Sequence, residues 1–179
     1  CPHLGLLIGQ HTPLESFGSL ADLVKAAPDV RSALKLMARY LTLSDGGGLL
    51  LLSEDAHVAS LRYALYESGV ECTEVIYDMA LANCWNVVRA LCGNRWLPRE
   101  VHLVRSRPAD IQPYRSFLRA PLHFDREQSA VVFDKAWLDL PLPGADPQRL
   151  ALLEATARAL EVQATGDLPA LVRRTLRHQ

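Results

Sequence analysis

The hydrophobic positions of this chain change their spacing several times, which predicts an alternation of helices and short strands. Between Thr12 and Leu41 apolar residues recur at helical spacing, as at Val30, Leu34 and Met37. A proline lies at the start of each half of this stretch, a position that favours the first turn of a helix. We therefore expect two helices here, the first of them capped by Thr12.

A glycine run at residues 46–48 separates these helices from a predicted β-hairpin. Two apolar stretches follow it, joined by the polar turn SEDA. In the second stretch Ala59, Leu61, Tyr63 and Leu65 recur at every second position, which is the period of a strand with one buried face. The hairpin should place that face on the core.

The most regular helical pattern begins at Thr73 and ends before Gly93. Thr73 is a residue type that caps helices, and Gly93 is placed to terminate the helix in a left-handed conformation. The apolar stripe between them is wide, so we expect this helix to be buried on most sides and to form the spine of the core.

The second half of the chain predicts shorter elements. We expect a strand at 100–104, a short helix after Pro108, and two strands, PLHF and AVVFD, joined by residues 125–129. A proline-rich corner, LPLPGADP, then leads into a helix over 147–162, and a last helix begins near Asp167. The predicted fold class is α+β: a small antiparallel sheet with packed helices, helix-rich at both ends, and not a jelly roll.

The overall charge of the chain argues against a nucleic-acid-binding surface on its main body. Its 179 residues carry a formal net charge of −1, and only the end of the chain concentrates arginine, at Arg173, Arg174 and Arg177. The longest apolar run is far shorter than the roughly 20 residues of a membrane span. The four cysteines form no C-x-x-C pair, which is typical of reduced thiols in a cytoplasmic protein.

Motifs for catalysis, phosphate binding and metal binding are absent from the sequence. There is no G-x-S-x-G elbow, no phosphate-binding loop and no H-x-x-H spacing. His102 and His123, on neighbouring predicted strands, are the pair that could be brought together in space, as metal ligands or with one of them as a base. We expect no cofactor, no metal and no enzymatic activity, and keep a small-molecule enzyme as the alternative.

Aromatic and amide side chains around the central helix are the candidates for ligand binding. They are Tyr63 on the hairpin, Tyr77, Asn83 and Trp85 on the helix, and His123 on a later strand. Small-ligand pockets are mostly apolar with a few placed polar groups, and ordinary core packing explains the aromatic residues equally well. The asparagines at 83 and 86 are more informative, since a buried amide must find a hydrogen-bond partner.

The helix after the proline corner has a narrow apolar seam. Leu150, Leu153, Ala157 and Leu160 follow the 3-4-3 spacing of a coiled coil over two heptads. The seam fits a dimer contact and fits equally well the docking of an amphipathic helix on its own domain.

Taken together, these segments resemble the effector-binding N-terminal domain of AraC-type bacterial transcription regulators. The resemblance runs from about Leu4 to Leu176, and within the family it is closest to the arabinose-binding-like domains of ornithine-utilisation and VirS-like regulators. Its most specific part lies between Pro121 and Pro147, in the pattern P-x-x-F-D-x-x-x-S-A-V-V-F-D followed by W-L-D-x-P-L-P-G-A-D-P. The helix-rich order differs from the sugar-binding jelly roll of the founding regulator.

The resemblance implies a cytoplasmic regulatory domain that binds a small effector and forms a homodimer. Residues 1–164 would be the effector-binding and dimerisation domain, and residues 165–179 the linker to a C-terminal helix-turn-helix domain that contacts DNA. We expect no contact with a membrane. An oligomerisation module without a ligand is the second alternative, and the sequence identifies neither the effector, nor the operator, nor activation or repression.

Overall fold

The computed structural model describes residues 3–41, 48–65 and 72–166, with side chains to residue 163. The helices in these ranges are α1 (Leu4–Gln10), α2 (Ser19–Lys25), α3 (Val30–Tyr40), α4 (Thr73–Cys92), α5 (Gln112–Leu118) and α6 (Pro147–Gly166). The strands are β1 (Gly48–Glu54), β2 (Val58–Leu65), β3 (Glu100–His102), β4 (Leu122–His123) and β5 (Ser129–Asp134). The predicted α+β class, without a jelly roll, is confirmed.

The described strands form one sheet in the order β1-β2-β5-β3-β4. The predicted hairpin is confirmed, because β1 and β2 pair antiparallel with Ser53 opposite Ser60. Ala59, Leu61 and Tyr63 are buried on the inner face of the sheet, as their alternation predicts. The outer face has no helix packed on it within the described ranges and is polar over much of its area.

The order of the last strands differs from the prediction. The two strands expected to pair with each other are separated by β3, which pairs parallel with β4 and antiparallel with β5. Asp125 adopts a positive φ of 57° just after β4, where the chain leaves the sheet. The sheet is therefore mixed, because β5 enters between β2 and β3 and β4 stays at the edge.

The central helix α4 spans Thr73–Cys92, as predicted, and Gly93 follows it with a φ of 83°. Its buried residues lie on several sides, so that it forms the middle layer of the domain. The predicted cap is wrong, because the residue before the helix is Cys72 and no side chain caps this end.

Helix α1, which the sequence reading did not predict, packs across α4 through two glycines. A methyl group built on Gly5 would overlap the carbonyl oxygen of Val75, and one on Gly9 would lie 2.5 Å from the Met79 oxygen. Thr12 does not cap the following segment as predicted; its hydroxyl donates to the Ile8 carbonyl at the end of α1. Two helices in contact at this distance require residues without a side chain.

The proline corner fastens the start of α6 to the junction of α2 and α3. The Val30 amide donates to the Leu140 carbonyl, and the Asp146 amide donates to the Ala26 carbonyl, at 3.1 Å in both cases. Gly144 lies against the Lys25 backbone, where a Cβ would approach the carbonyl oxygen to 3.0 Å. The corner therefore sets the direction in which the chain leaves the sheet.

Asp29 caps α3 and is expected to make stability depend on pH. Its carboxylate accepts a hydrogen bond of 2.7 Å from the Ser32 amide, which lowers the pKa of Asp29. Because the folded-state pKa is depressed, this contribution is present above the unfolded pKa of about 3.9 and is lost as the pH falls through the folded-state value. Asp29→Ala should lower the free energy of unfolding by about 1 kcal/mol at neutral pH and by less in acid.

The control for this prediction is Asp29→Asn, which keeps the cap without the charge. Denaturant unfolding of the three proteins at neutral and acid pH measures the difference. An alanine variant that loses equal stability at both pH values would contradict the role of the ionised cap.

Candidate functional site

A cavity of about 340 Å³ lies between the inner face of the sheet and the helices α3 and α4. The strands β1 and β2 form its floor, the two helices form its walls, and the 3-10 turn at Leu14–Phe17 stands at one side. The volume is at the lower end of the range of about 300–1,000 Å³ for small-ligand sites. The cavity is lined by Ser16, Phe17, Met37, Leu41, Leu50, Leu61, Tyr63, Met79, Ala80, Asn83, Cys84 and Val87.

Asn83 is the amide group in this apolar wall. Its Oδ1 atom is buried and accepts no hydrogen bond from the residues that the structure describes. Leaving such an acceptor unpaired costs about 1–3 kcal/mol. The neighbouring asparagine, Asn86, is satisfied, since its Nδ2 donates to the carbonyls of Gly9 and Thr12 at 2.9 Å. Of the two asparagines that the sequence indicates, Asn86 therefore has a structural role and Asn83 belongs to the wall of the cavity.

Tyr63 lines the cavity, whereas Tyr77 packs against the Tyr63 ring. The rings of Tyr63 and Tyr77 meet edge to face with centroids 6.0 Å apart. The Tyr77 hydroxyl accepts a hydrogen bond of 3.3 Å from the Leu65 amide at the end of β2. Tyr77 thus holds the orientation of Tyr63 and does not itself face the cavity.

Trp85 and His123, also predicted to bind a ligand, lie outside this cavity. The Trp85 indole donates to the Leu118 carbonyl at 3.1 Å and packs against Trp96 and Phe117. His123 is on β4, at the far edge of the sheet. Trp85 cannot line the same cavity as Asn83, because it is two residues further along α4 and therefore points about 200° away around the helix.

The two histidines on the outer edge of the sheet share one carboxylate. His102 Nε2 lies 2.9 Å from Glu100 Oε1, and His123 Nε2 lies 3.1 Å from Glu100 Oε2. Burial would raise the pKa of Glu100, but its contacts with the two histidines outweigh this effect and lower that pKa. His102 and Glu100 border an open, charged groove of about 870 Å³ on the outer face of the sheet.

No group of three or more His, Cys, Asp or Glu side chains within the described ranges is arranged to bind a metal ion. None of the helices in those ranges combines the length and apolar content that crossing a bilayer requires.

A buried ionic cluster, not predicted from the sequence, holds α4 to the segments that follow it. Arg105 Nη1 donates to Asp78 Oδ2 at 2.7 Å, and the Tyr114 hydroxyl donates to the same oxygen at 2.5 Å. Burial raises the pKa of Asp78, and the hydrogen bonds from Tyr114 and Arg105 oppose that rise in part. The sequence does contain an indication of this cluster, because Asp78 is an acidic residue in the middle of the most apolar helix.

Helix α6 packs on its own domain through most of the predicted seam. Leu150, Leu153 and Ala157 are partly buried against the core, whereas Leu160 is 49% exposed. Ion pairs flank this contact, with Arg149 Nη2 and Asp22 Oδ1 at 3.0 Å and Arg39 Nη2 and Glu161 Oε2 also at 3.0 Å. The contact joins α6 to α2 and α3.

Helix α3 thereby contacts the cavity on one side and α6 on the other. Met37, together with Leu41 just after the helix, lines the cavity, while Arg39 binds Glu161 of α6. Arg158 Nη2 of α6 donates to Glu154 of the same helix at 2.6 Å, and this contact raises the pKa of Arg158. A single helix therefore connects the wall of the cavity to the last described element.

Comparison with known proteins relates the domain to a family of regulators. Residues 1–142 match the family described as the arabinose-binding domain of AraC transcription regulators, N-terminal. The fold is similar to the crystal structure of the transcriptional regulator CdpR from Pseudomonas aeruginosa, with a TM-score of 0.76 and 16% sequence identity. The similarity covers 90% of this chain and 54% of that protein, so this chain spans about half of its length. A search of curated proteins found no match.

Proposed function

This chain belongs to the family of arabinose-binding domains at the N-terminus of AraC transcription regulators, and we propose that its core cavity is the effector site. The observation that carries the proposal is the apolar cavity between the sheet, α3 and α4, with the amide residue Asn83 in its wall. A polar group placed in an apolar wall is the arrangement of small-molecule sites. A domain that only oligomerised would have no need for it.

The assignment to a subgroup of the family follows from the sequence pattern that extends from Pro121 to Pro147. We propose that the chain is of the ornithine-utilisation and VirS-like type and acts in the cytoplasm as a homodimer. Residues 1–164 would receive the effector, and residues 165–179 would lead to a separate helix-turn-helix domain that contacts DNA. Residues 167–179 lie outside the described part of the chain.

The proposed signal passes from the cavity to α6 through α3. An effector against Met37 and Leu41 would press on α3, the helix whose Arg39 pairs with Glu161 of α6. A ligand shifts such an arrangement only if it binds two positions of the helices with different affinity. The position of α6 would then determine how attached DNA-binding domains reach their half-sites.

A thermal-shift screen with a matched pair of variants tests the effector site. Ala80→Phe places a ring in the cavity, whereas Ala90→Phe adds the same ring at an exposed position of the same helix. A ligand at about 100 times its Kd stabilises the folded state by about 2.7 kcal/mol, or about 5–10 °C for a chain of this size. We expect Ala80→Phe to abolish the shift and Ala90→Phe to retain it.

Ser16→Trp is a second cavity variant, because Ser16 lies in an exposed turn where a large side chain does not disturb the core. A ligand whose shift survives both Ala80→Phe and Ser16→Trp binds elsewhere, and that result would contradict the proposed site.

The dimer seam is tested by two adjacent leucines of α6. Leu153 is partly buried on its own domain, whereas Leu152 is 71% exposed. Full burial of a leucine contributes about 1.5–3 kcal/mol, so Leu153→Glu should lower the free energy of unfolding by about 1–2 kcal/mol and Leu152→Glu should leave it nearly unchanged. Denaturant unfolding and sedimentation velocity of both variants measure stability and mass.

The same experiment decides what the seam contacts. A Leu153→Glu protein of unchanged stability that sediments as a monomer, where the parent is a dimer, would assign the seam to the dimer. Destabilisation without a change in mass would assign it to the domain itself.

The enzymatic alternative depends on His102 and His123. Both contact Glu100 at the outer edge of the sheet, and the family is one of transcription regulators. The cavity with Asn83 therefore supports a sensor better than the histidine pair supports a catalyst.

A further inference from the structure

The two edges of the described sheet differ in length and in polarity. Strand β4 forms one edge with two residues, Leu122 and His123. Strand β1 forms the other edge with seven residues, GLLLLSE, and pairs with β2 in unbroken register. Folded proteins protect edge strands from pairing with another chain by shortness, charge, proline or a bulge. Strand β4 is protected by its shortness, whereas β1 is long and carries no charge before its last residue, Glu54.

Every second residue of β1 presents its backbone to the open edge. The Asp55 amide donates to the Val58 carbonyl at 2.8 Å, so these two residues form a hydrogen-bonded pair of the hairpin. Because such pairs alternate along an antiparallel ladder, Leu49, Leu51 and Ser53 bond to β2. The amides and carbonyls of the other residues point away from β2, on the side where no strand of the described ranges pairs with them. These residues are Gly48, Leu50, Leu52 and Glu54.

A second copy of β1 fits this edge along its whole length. If the two strands run antiparallel about a two-fold axis at Leu51, Gly48 lies opposite Glu54 of the second copy and Leu50 lies opposite Leu52. The backbone groups at the open edge would then bond to the same groups of the second copy, with two hydrogen bonds for each residue pair. Leu51 is 47% exposed on the outer face of the sheet, and it would pack against Leu51 of the second copy across the axis.

Charge and topology favour this antiparallel pair over other assemblies. The two Glu54 carboxylates would lie about 20 Å apart, since six residues of about 3.4 Å each separate Gly48 from Glu54. A parallel pair would place them side by side, and like charges directly opposite each other destabilise a sheet. Because β4 is too short to offer a second edge of this kind, the pairing would use the long edge of each sheet and close at two copies.

We propose that β1 pairs antiparallel with β1 of a second copy of this chain, so that two five-stranded sheets become one continuous sheet with Leu51 at its two-fold axis. This inference rests on the proposed function, because it assigns a contact surface to the proposed homodimer. The same arrangement leaves the seam of α6 on its own domain, where Leu150, Leu153 and Ala157 are partly buried.

Sedimentation velocity of the 179-residue chain over a range of concentrations tests this surface with a matched pair of variants. Leu51→Glu places two carboxylates opposite each other at the axis, whereas within one chain it faces Arg62 of β2, so that the fold is kept. Leu97→Glu adds the same charge at a leucine of similar exposure, 42%, between α4 and β3. We expect the parent to be a dimer and Leu51→Glu to raise the dissociation constant of that dimer about tenfold or more. Leu97→Glu and Leu153→Glu should leave this constant unchanged.

A disulfide at the axis tests the register and does not depend on added charge. Leu51→Cys is made together with Cys1→Ser and Cys72→Ser, because Cys72 is exposed. Burial raises the pKa of the remaining thiols, Cys84 and Cys92, to about 12, which keeps them unreactive. The two Cα atoms at the axis would be about 4.5 Å apart, within the range of about 4.4–6.8 Å that a disulfide spans. On a non-reducing gel, oxidation should convert this variant into a linked dimer, and Leu97→Cys in the same background should stay unlinked.

Three results would overturn the inference. A monomeric parent would reject the homodimer and this surface with it, while the effector site is decided separately by the thermal-shift screen. A dimer that Leu51→Glu leaves intact and Leu153→Glu dissociates would assign the contact to α6 and reject the sheet edge alone. A parent dimer in which Leu51→Cys forms no disulfide would reject the two-fold axis at Leu51.

Discussion

Asp78→Ala is expected to lower the free energy of unfolding by about 3–5 kcal/mol, because it removes the buried carboxylate to which both Arg105 and Tyr114 donate. Arg105 is 9% exposed, and its Nη1 atom donates to both Asp78 and the Tyr114 hydroxyl. For a chain of this size, that loss is a decrease of about 6–20 °C in melting temperature. Denaturant unfolding curves of the variant and the parent provide the measurement.

The control for this variant is Glu74→Ala. Glu74 also pairs with Arg105, at 3.4 Å, but its side chain is 56% exposed. Exposed pairs contribute about 0–1 kcal/mol, so Glu74→Ala should be close to the parent in stability. Equal losses in the two variants would show that the buried cluster does not hold α4 to α5.

Gly5→Ala is expected to destabilise the protein by about 2 kcal/mol, although alanine is the better helix former. Helix propensity alone favours alanine over glycine by about 1 kcal/mol. The added methyl, however, would lie 2.8 Å from the Val75 carbonyl carbon, and a backbone group cannot move aside as a side chain does. Overpacking of this kind costs about 1–3 kcal/mol, occasionally more, so the steric effect should exceed the gain in propensity.

The control on the same helix is Leu7→Ala, since Leu7 is 41% exposed and lies about 200° around the helix from Gly5. The free energies of unfolding of Gly5→Ala and Leu7→Ala, measured by denaturant unfolding, should differ by more than the error of the extrapolation to zero denaturant. A Gly5→Ala protein more stable than the parent would mean that α1 does not depend on close contact with α4.

The elements that could be predicted are those whose pattern is local. The β1–β2 hairpin and α4 follow from the alternation around Leu61 and from the stripe between Thr73 and Gly93. Helix α1 could not be predicted in this way, because Gly5 and Gly9 lower helix propensity on their own and suit a helix only against the backbone of α4. The parallel pairing of β3 with β4 depends on β5, which comes later in the chain.

The candidate site could be predicted only in part. Asn83 and Tyr63 were identified because a polar group in an apolar helix and an aromatic group on a buried face are visible in the sequence. Trp85 and His123 were included by residue type, and only the fold places them elsewhere. The seam of α6 has the predicted spacing, but spacing cannot distinguish a second chain from the protein's own α2 and α3.

The position of α3 has a thermodynamic consequence for the proposed regulator. The helix contributes Met37 to the cavity and binds α6 through Arg39. If occupation of the cavity changes the free energy with which α6 is held, then holding α6 must change the affinity of the cavity by the same factor. A full-length regulator bound to its operator would therefore bind effector with a different Kd from the free protein, and the operator itself would be an allosteric ligand of the sensor.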